Sequence, residues 1–248
     1  MLKKTYWIVL IFSFVLNLII ACGVNSSEVD QKLIKEWSQT VGLILIPAEY
    51  PKNYGTFFVC ESETGFAYGI TAHHLFLPKV YIDSLNSERK YTTATAYYSD
   101  GNASRKMICN ISQSFPDYDV VNFYPDSSEI AKNSQFTFTS LKYSDLDSAT
   151  EIRLLDEVIY FGFPHGLGAS FTERRNDPVV RKTVVSLVSS NSNYFWIQSL
   201  AGKGSSGSPV YSLRTKKLVG MVLSIFKDRD TDLTKVLRAD RIRQLLKR

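Results

Sequence analysis

The sequence is poor in the side chains that bind metal ions. Three histidines and three cysteines occur among 248 residues, and they do not stand at the short spacings typical of metal sites. We therefore expect no metal ion and no cofactor. Cys60 and Cys109 fall within apparent strands, and the sequence leaves open whether they form a disulfide or stay buried as thiols.

A strong excess of charge of either sign is also missing. The 29 lysines and arginines exceed the 24 acidic residues by only +5. Arg174, Arg175, Arg181 and Lys182 cluster in the sequence, but no interleaved aromatic residues or nucleic-acid motif accompany them. We interpret this cluster as a solvated face and expect no nucleic-acid partner.

The chain has no internal repeat and no disorder-like bias. Hydrophobic residues make up 44% of it and charged residues 21%, which is enough apolar material for a substantial core. Short runs rich in Val, Ile, Phe and Tyr recur between clusters of Gly, Asn, Ser and Asp, which is typical of an all-β protein. The runs that predict strands are 41–46, 56–60, 66–71, 91–98, 120–124, 157–161, 183–188 and 194–198.

Two segments show helical spacing instead. Val29, Leu33, Ile34 and Trp37 predict a helix over 27–37, and a stripe of apolar residues among arginines predicts a second helix within 239–247. The polar segment 140–150 is the best candidate for a connection between two halves of the fold.

The segment from Gly204 to Pro209, GSSGSP, indicates an exposed nucleophile. Glycine at 204 allows a turn that is closed to residues with a Cβ, and this turn aims the N–H groups of Gly204 and Ser206 at one point. Gly207 allows close packing behind Ser206. A flexible linker is the alternative, but the following residues predict a hairpin, with two apolar runs around a polar turn.

A serine nucleophile requires a general base and a group that orients that base. Two of the three histidines are adjacent, in Thr71-Ala72-His73-His74. A carboxylate is available in Asp117-Tyr118-Asp119, directly before an apolar run. The chain order is therefore histidine, aspartate, serine.

These three contexts resemble the chymotrypsin-like (trypsin-like) serine proteases, especially compact bacterial members related to the HtrA and glutamyl-endopeptidase groups. Residues 71–74 resemble the family's T-A-x-H, which makes His74 the base. Asp119 followed by two valines resembles its acid, and residues 204–209 resemble its G-x-S-G-[GS]-P with Ser206 as nucleophile. The oxyanion hole is then formed by the N–H groups of Gly204 and Ser206.

The resemblance covers most of the chain and implies its architecture. Residues 156–164 are similar to the strand and turn that open the family's second barrel, and 238–246 resemble its closing helix. We expect a linker and short helix over 23–40 and then two antiparallel six-stranded barrels. The barrels are predicted at about 41–139 and 151–236.

Each catalytic residue has a competitor in the sequence. His73 is adjacent to His74 but points in another direction. Asp117 would share a face with Asp119 on an extended chain, but the apolar run favours Asp119, and Asp117 is interpreted as a surface turn residue. His165 is interpreted as a loop histidine. Lys203 could act as the base of a serine–lysine pair, but its place in the nucleophile loop favours a solvent-exposed side chain.

The family resemblance also implies which residues form the pocket for the side chain before the scissile bond. Leu200 would form its floor, or Ser199 or Ala201 if the loop is shifted by one residue. Val222, Leu223 and Ser224 would line its wall. These residues offer neither an acidic floor nor a histidine in the wall strand. We therefore expect loose selectivity for small or medium uncharged residues such as Val, Ala, Leu or Thr.

The first 22 residues are interpreted separately. Lys3 and Lys4 precede a long apolar run over 6–21, which resembles a secretion signal. Residues 19–23, IIACG, resemble a bacterial lipobox, in which lipid is attached to Cys22 after cleavage. A retained membrane anchor is the alternative, although the run is short for a span and contains Asn17.

Together these patterns predict a serine endopeptidase that acts on proteins or peptides. Lipid on Cys22 would attach it to the membrane of a bacterial cell envelope, facing the periplasm or the exterior. The alternative is a protease-like binding or structural lipoprotein that keeps the fold without turnover, because the sequence alone does not show whether the three side chains meet.

Overall fold

A computed structural model describes most of the chain. It divides into two units, residues 1–38 and 39–248. Residues 1–30 lie outside the described part, so the secretion signal, Cys22 and the start of the predicted helix lie outside it as well. The described residues are 31–46, 53–76, 93–99, 104–128, 139–147, 152–166, 177–189, 192–225 and 232–247.

In the first unit, residues 31–38 form a helix, α1, as the apolar spacing predicted. Lys32 and Glu36 lie one turn apart with Nζ and Oε1 separated by 4.0 Å, an exposed i,i+4 pair. The Ser38 hydroxyl donates a hydrogen bond to the Lys35 carbonyl at the end of the helix.

The first half of the second unit is a closed antiparallel barrel of six strands. Its neighbours run in the order β1-β2-β3-β6-β5-β4. Phe57 and Phe123 meet inside it edge to face with ring centroids 5.3 Å apart, a favourable geometry for two aromatic rings. The strands are β1 Val41–Ile46, β2 Asn53–Glu61, β3 Ala67–Ala72, β4 Thr93–Ser99, β5 Ser104–Phe115 and β6 Val120–Pro125.

The second half is another closed six-stranded barrel, in the order β10-β11-β12-β9-β8-β7. Its core contains buried Val158, Tyr160, Phe195 and Ile197 on facing strands. The predicted all-β fold of two six-stranded barrels is therefore confirmed. The strands are β7 Glu157–Gly162, β8 Val179–Val188, β9 Tyr194–Gln198, β10 Pro209–Ser212, β11 Leu218–Ile225 and β12 Leu233–Arg238.

Two strands were not among the predicted runs. β5 has the sequence SRKMICNISQSF, and β12 has the sequence LTKVLR. Polar residues interrupt both, and a register shift between Ile111 and Gln113 breaks the alternation of β5. Their own apolar pattern is therefore weak. Both strands pair with a neighbour on each side within a closed barrel, and this pairing also stabilises them.

The connection predicted at 140–150 is described over 139–147 and contacts both barrels. Leu141 forms a β-bridge with Cys60 of β2, and Leu146 forms one with Leu218 of β11. The Tyr98 hydroxyl donates to the Thr139 carbonyl at 2.9 Å, which holds the start of the connection against β4. The backbone of this segment therefore pairs with one strand of each barrel.

A C-terminal helix, α2, spans Ala239–Leu245 and confirms the predicted closing helix. Ile242 is fully buried, so this apolar position packs inward as the stripe indicated. The Tyr143 hydroxyl donates to the Arg243 carbonyl at 3.3 Å, which joins α2 to the connection between the barrels. Among the helices in the described part of the chain, none has the length and apolar character needed to cross a membrane.

Cys60 and Cys109 are both buried as thiols in the first barrel. Burial raises the pKa of the Cys60 thiol far above its usual value, because the thiolate would lose its hydration. Neither side chain belongs to the predicted triad. Of the two possibilities that the sequence left open, the structure has the thiols.

We expect peptide hydrolysis to be unchanged by mild reductant, because no disulfide between these buried thiols is available to break. The measurement is the initial rate before and after incubation with dithiothreitol, with alkylation of the native protein as a control for thiol exposure. A complete loss of rate that air oxidation restores would contradict this expectation.

Candidate active site

Residues 199–208 form the loop between β9 and β10, and its backbone is shaped by two glycines. Gly204 has φ +96° and Gly207 has φ +90°, a region that side chains with a Cβ rarely adopt. The loop is held by Thr56 of β2, whose N–H donates to the Ser206 carbonyl at 2.8 Å. The Thr56 hydroxyl donates to the Gly204 carbonyl at 2.8 Å. The loop is therefore a turn held by hydrogen bonds rather than a flexible linker. β10 and β11 form the predicted hairpin.

Gly207 lies against the backbone of β2. A Cβ placed there would stand 1.9 Å from the Thr56 carbonyl oxygen and 2.4 Å from the Thr71 hydroxyl. The Gly207 N–H donates to the Val222 carbonyl at 2.8 Å. The close packing behind Ser206 that the sequence indicated is therefore present.

We expect Gly207→Ala to lower the free energy of unfolding by about 3 kcal/mol or more, because strain at positive φ adds to overlap with backbone atoms. Gly65→Ala is a matched control, since Gly65 has φ +83° but no atom within 4 Å of a Cβ. It should cost only about 1 kcal/mol. Urea unfolding of both variants measures the difference, and equal losses would show that crowding at 207 is unimportant.

His74 lies in a short 3₁₀ turn, His73–Phe76, that directly follows β3. Its Nε2 is 3.0 Å from the Ser206 Oγ, across 132 residues of sequence. Its Nδ1 is 2.7 Å from Asp119 Oδ2. With Nδ1 protonated and donating to the carboxylate, Nε2 has a free lone pair directed at the serine hydroxyl.

Asp119 is held in place by its backbone and by its side chain. It ends a 3₁₀ turn, Pro116–Tyr118, in the left-handed region with φ 57° and ψ 44°. Its Oδ1 accepts a hydrogen bond from the His74 N–H at 2.7 Å. Its carbonyl accepts another from the His73 N–H at 3.0 Å. The carboxylate is therefore oriented toward the imidazole before any substrate binds.

The structure separates the sequence competitors from these three residues. It brings His74, and not His73, to Ser206, while the His73 N–H bonds the Asp119 backbone. Asp117 is exposed in a 3₁₀ turn, in agreement with its interpretation as a surface turn residue, so the chain there is not extended. The Asp117 carbonyl instead accepts a hydrogen bond from the Tyr194 hydroxyl at 3.4 Å.

The Ser206 hydroxyl has two acceptors within reach. Besides His74 Nε2, the Leu223 carbonyl of β11 lies 3.0 Å from the Ser206 Oγ. One hydroxyl hydrogen can serve only one of them at a time. The side chain is therefore positioned by β11 as well as by the imidazole.

The N–H groups of Gly204 and Ser206 are available as donors. In the ranges that the structure describes, neither donates to a protein acceptor, while the intervening Ser205 N–H donates to the Gly202 carbonyl at 3.0 Å. The positive φ of Gly204 sets the direction of the turn between them. Two unused backbone donors beside the Ser206 hydroxyl are the arrangement that stabilisation of an oxyanion would require.

The structure places the residues predicted to form the pocket in different surroundings. Leu200 is 56% exposed, so it is not an enclosed floor, and the next residue, Ala201, is buried instead. Val222 packs in the core of the second barrel. Leu223 is buried and contributes its carbonyl to Ser206. The side chain of Ser224 lies outside the described residues, and a register shift between 222 and 224 alters which side chains share a face.

Several supporting residues escaped the sequence analysis. Thr56 and Thr71 form a buried chain, in which the Thr71 hydroxyl donates to the Thr56 carbonyl at 2.6 Å. Tyr194 reaches from the second barrel to the turn that precedes Asp119 in the first. Burial and then the negative charge of Asp119 raise the pKa of the Tyr194 hydroxyl, which keeps it protonated as a donor. Thr71 belongs to the T-A-x-H motif, although its contact with Thr56 was not predicted, and no motif marks Thr56 or Tyr194.

Within the ranges that the structure resolves into helices, strands and turns, no cluster of three or more His, Cys, Asp or Glu side chains could hold a metal ion.

Comparison with known proteins identifies a family. Residues 55–221 match the model of the trypsin-like peptidase domain, about two thirds of the chain. This match includes the stretches around His74, Asp119 and Ser206. A search of curated proteins found no match.

Solved structures are similar to this one in fold. The HtrA-type protease AlgW with a tripeptide has TM-score 0.62 and 14% identity, covering 87% of this chain and 62% of that one. The MamO protease domain from Magnetospirillum magneticum has TM-score 0.58 and 12% identity, with 85% and 97% covered. The serine endoprotease from Yersinia pestis has TM-score 0.59 and 12% identity, with 88% and 66% covered. The chain spans about three fifths of the length of the first of these.

Proposed function

Because the chain belongs to the trypsin-like peptidase family, we propose that it is a serine endopeptidase in which Ser206 attacks a peptide carbonyl. The observation that carries this proposal is the line of contacts from Asp119 Oδ2 to His74 and on to the Ser206 Oγ, at 2.7 and 3.0 Å. Asp119 and His74 come from separate parts of the first barrel, and Ser206 comes from the loop between β9 and β10. Their contacts run from carboxylate to imidazole to hydroxyl, which is the order that acyl transfer to a serine requires.

In the proposed first step, the Ser206 Oγ bonds to the carbonyl carbon while its proton passes to His74 Nε2. The carbonyl electron pair moves onto oxygen, where the N–H groups of Gly204 and Ser206 stabilise the negative charge. Asp119 holds the Nδ1 proton and stabilises the imidazolium. The C–N bond then breaks, His74 returns the proton to the leaving amine, and an ester on Ser206 remains.

In the second half, water replaces the amine. His74 takes a proton from this water as its oxygen attacks the ester carbonyl, and the same two N–H groups stabilise the second oxyanion. The bond to the Ser206 Oγ breaks, His74 protonates that oxygen, and the new carboxylic acid leaves. The enzyme returns to its starting protonation state.

The alternative function is binding without turnover on the same fold. An active-site-directed peptide phosphonate distinguishes the two, because it bonds covalently only to an activated serine. We expect one adduct per chain, located by peptide mass spectrometry on Ser206 and absent from Ser206→Ala. An unlabelled wild-type protein that keeps its fold would favour the binding protein.

The pocket for the side chain before the scissile bond is proposed to involve Ala201 and Leu223, which are buried, because Leu200 is 56% exposed. Selectivity for small or medium uncharged side chains before the scissile bond remains a proposal that depends on the buried, apolar surroundings of Ala201 and Leu223. Cleavage profiling with a peptide library tests it, and a dominant preference for Arg, Lys or Glu at that position would contradict it.

We also propose that lipid on Cys22 anchors the protein in a bacterial cell envelope. Support comes from the sequence alone, in the two lysines, the apolar run and the lipobox-like residues before Cys22. The barrels would then lie outside the cytoplasm, where protein or peptide substrates reach them.

Cys22→Ser is expected to abolish lipid attachment and to release the protein from membranes, because acyl chains and not the barrels supply the anchoring free energy. Membrane fractionation of cells that express either form measures this effect. Cys60→Ser is a control that removes a different cysteine. An unmodified Cys22 in the mature wild-type protein, found by mass spectrometry, would refute the lipoprotein proposal.

A further inference from the structure

Three basic residues that the proposed mechanism does not use lie around the nucleophile loop. Arg181 of β8 donates through Nη1 to the Leu200 carbonyl at 2.9 Å. The His165 N–H donates to the Lys203 carbonyl at 2.5 Å, and a Cβ at Gly202 would stand 2.8 Å from His165 Nε2. Lys203 is itself part of the loop. The segment just before the oxyanion donors is therefore surrounded by basic side chains.

Of these three basic residues, Lys203 is the nearest to Ser206 in sequence. It directly precedes Gly204, one of the two proposed oxyanion donors. Its Nζ lies 5.1 Å from the centroid of the Tyr54 ring. A Cβ at Gly204 would stand 2.6 Å from that same ring, so Tyr54 packs against the oxyanion turn. The ammonium group is thus held on an aromatic face at the edge of the site.

The contacts of Ser206 place Lys203 on one side of the scissile bond. His74 protonates the leaving amine in the proposed mechanism, so the leaving half of a substrate lies on the His74 side of the Ser206 Oγ. The turn that carries His74 contacts the start of β2, where Asn53 Nδ2 donates to the carbonyl of the residue after His74 at 3.3 Å. Tyr54 is the next residue of β2. The leaving half of the peptide therefore passes over Tyr54 and Lys203.

The charge of Lys203 has no carboxylate partner within the described ranges. Lys182 differs, because its Nζ lies 2.7 Å from Glu157 on a neighbouring strand. Lys203 is exposed, so its ammonium remains accessible to a ligand. An ammonium next to a peptide path favours a carboxylate on that peptide by direct ion pairing.

We propose that Tyr54 and Lys203 form a subsite for an acidic side chain, Asp or Glu, at the first or second residue after the scissile bond. The Lys203 ammonium pairs with the carboxylate, and the Tyr54 ring packs against the aliphatic part of the same side chain. This inference rests on the proposed peptidase function, since it assigns the leaving half of the substrate. It makes Lys203 a residue that determines substrate preference and not a catalytic residue.

The test uses internally quenched peptides that are identical except for Glu or Gln at the first or second position after the cleaved bond. We expect wild-type kcat/KM to be about fivefold higher for Glu than for Gln at one of these positions, the ratio of an exposed ion pair. Lys203→Gln should reduce the ratio to about one. Lys182→Gln removes the same charge elsewhere on the surface and should leave the ratio unchanged.

A binding measurement separates this inference from the proposed function. Fluorescence anisotropy of the same labelled peptides on full-length Ser206→Ala reports the subsite without turnover. A Glu preference in binding that Lys203→Gln abolishes supports the subsite even if the wild type hydrolyses nothing, a result that would refute only the proposed function. Equal binding of Glu and Gln peptides, or a Glu preference that survives Lys203→Gln, overturns the inference.

Discussion

Ser206→Ala and His74→Ala are each expected to lower kcat for peptide hydrolysis by a factor on the order of 10⁴ to 10⁶, with the fold unchanged. Either substitution removes a member of a unit in which the serine oxygen attacks only as its proton leaves for Nε2. The distance of 3.0 Å between these two atoms supports direct transfer. Steady-state kinetics on a quenched peptide measures the loss, and circular dichroism checks the fold.

His73→Ala is the matched control for His74→Ala, because it removes the same ring one residue away. The contact of His73 with Asp119 is through its backbone N–H, which alanine retains. We therefore expect its kcat to stay within about tenfold of the wild type, a difference of roughly 1.4 kcal/mol. An inactive His73→Ala beside an active His74→Ala would show that the base is assigned to the wrong histidine.

Asp119→Asn is expected to reduce kcat by a factor on the order of 10⁴ while the protein stays folded. The amide oxygen of asparagine can still accept the His74 N–H that Asp119 Oδ1 accepts at 2.7 Å. Its NH₂ group would then face Nδ1 in place of Oδ2 and would favour the tautomer with the proton on Nε2. That tautomer has no lone pair for the Ser206 proton.

Asp117→Asn serves as the control for Asp119→Asn, because both substitutions remove one charge from the same turn. Asp117 contributes a backbone carbonyl to Tyr194, and this carbonyl survives the change of side chain. Its kcat should therefore differ little from that of the wild type. If both variants lost activity equally, the effect would come from the charge of the turn and not from orientation of the imidazole.

The other substitutions have smaller expected effects. They distinguish residues that stabilise the fold from residues that influence substrate preference. Gly207→Ala tests packing of the nucleophile loop on β2, since its virtual Cβ overlaps backbone atoms that cannot move independently. Lys203→Gln tests substrate preference on the leaving side. Neither depends on the triad, so each can succeed or fail without altering the assignment of the base.

Much of the fold was predictable because its signals are local. The strands at 41–46 and 194–198 have the predicted bounds, whereas β2 and β8 begin before the predicted runs 56–60 and 183–188. The strand β5 was missed, because polar residues and a register shift between Ile111 and Gln113 interrupt its alternation. Local periodicity is thus informative only where a strand keeps a regular register.

The sequence by itself determined the chemical types at the site. The positive φ of residues 204 and 207 requires glycine at both positions, and serine at 206 supplies the hydroxyl between them. Only the tertiary structure decided which residues meet. His74 and Ser206 are 132 residues apart, and Tyr194 reaches Asp117 across 77. Leu200 proved exposed, while Lys203 was brought onto Tyr54. Such contacts depend on how two closed barrels, their register shifts and their loops pack together, and no local pattern of residues encodes that arrangement.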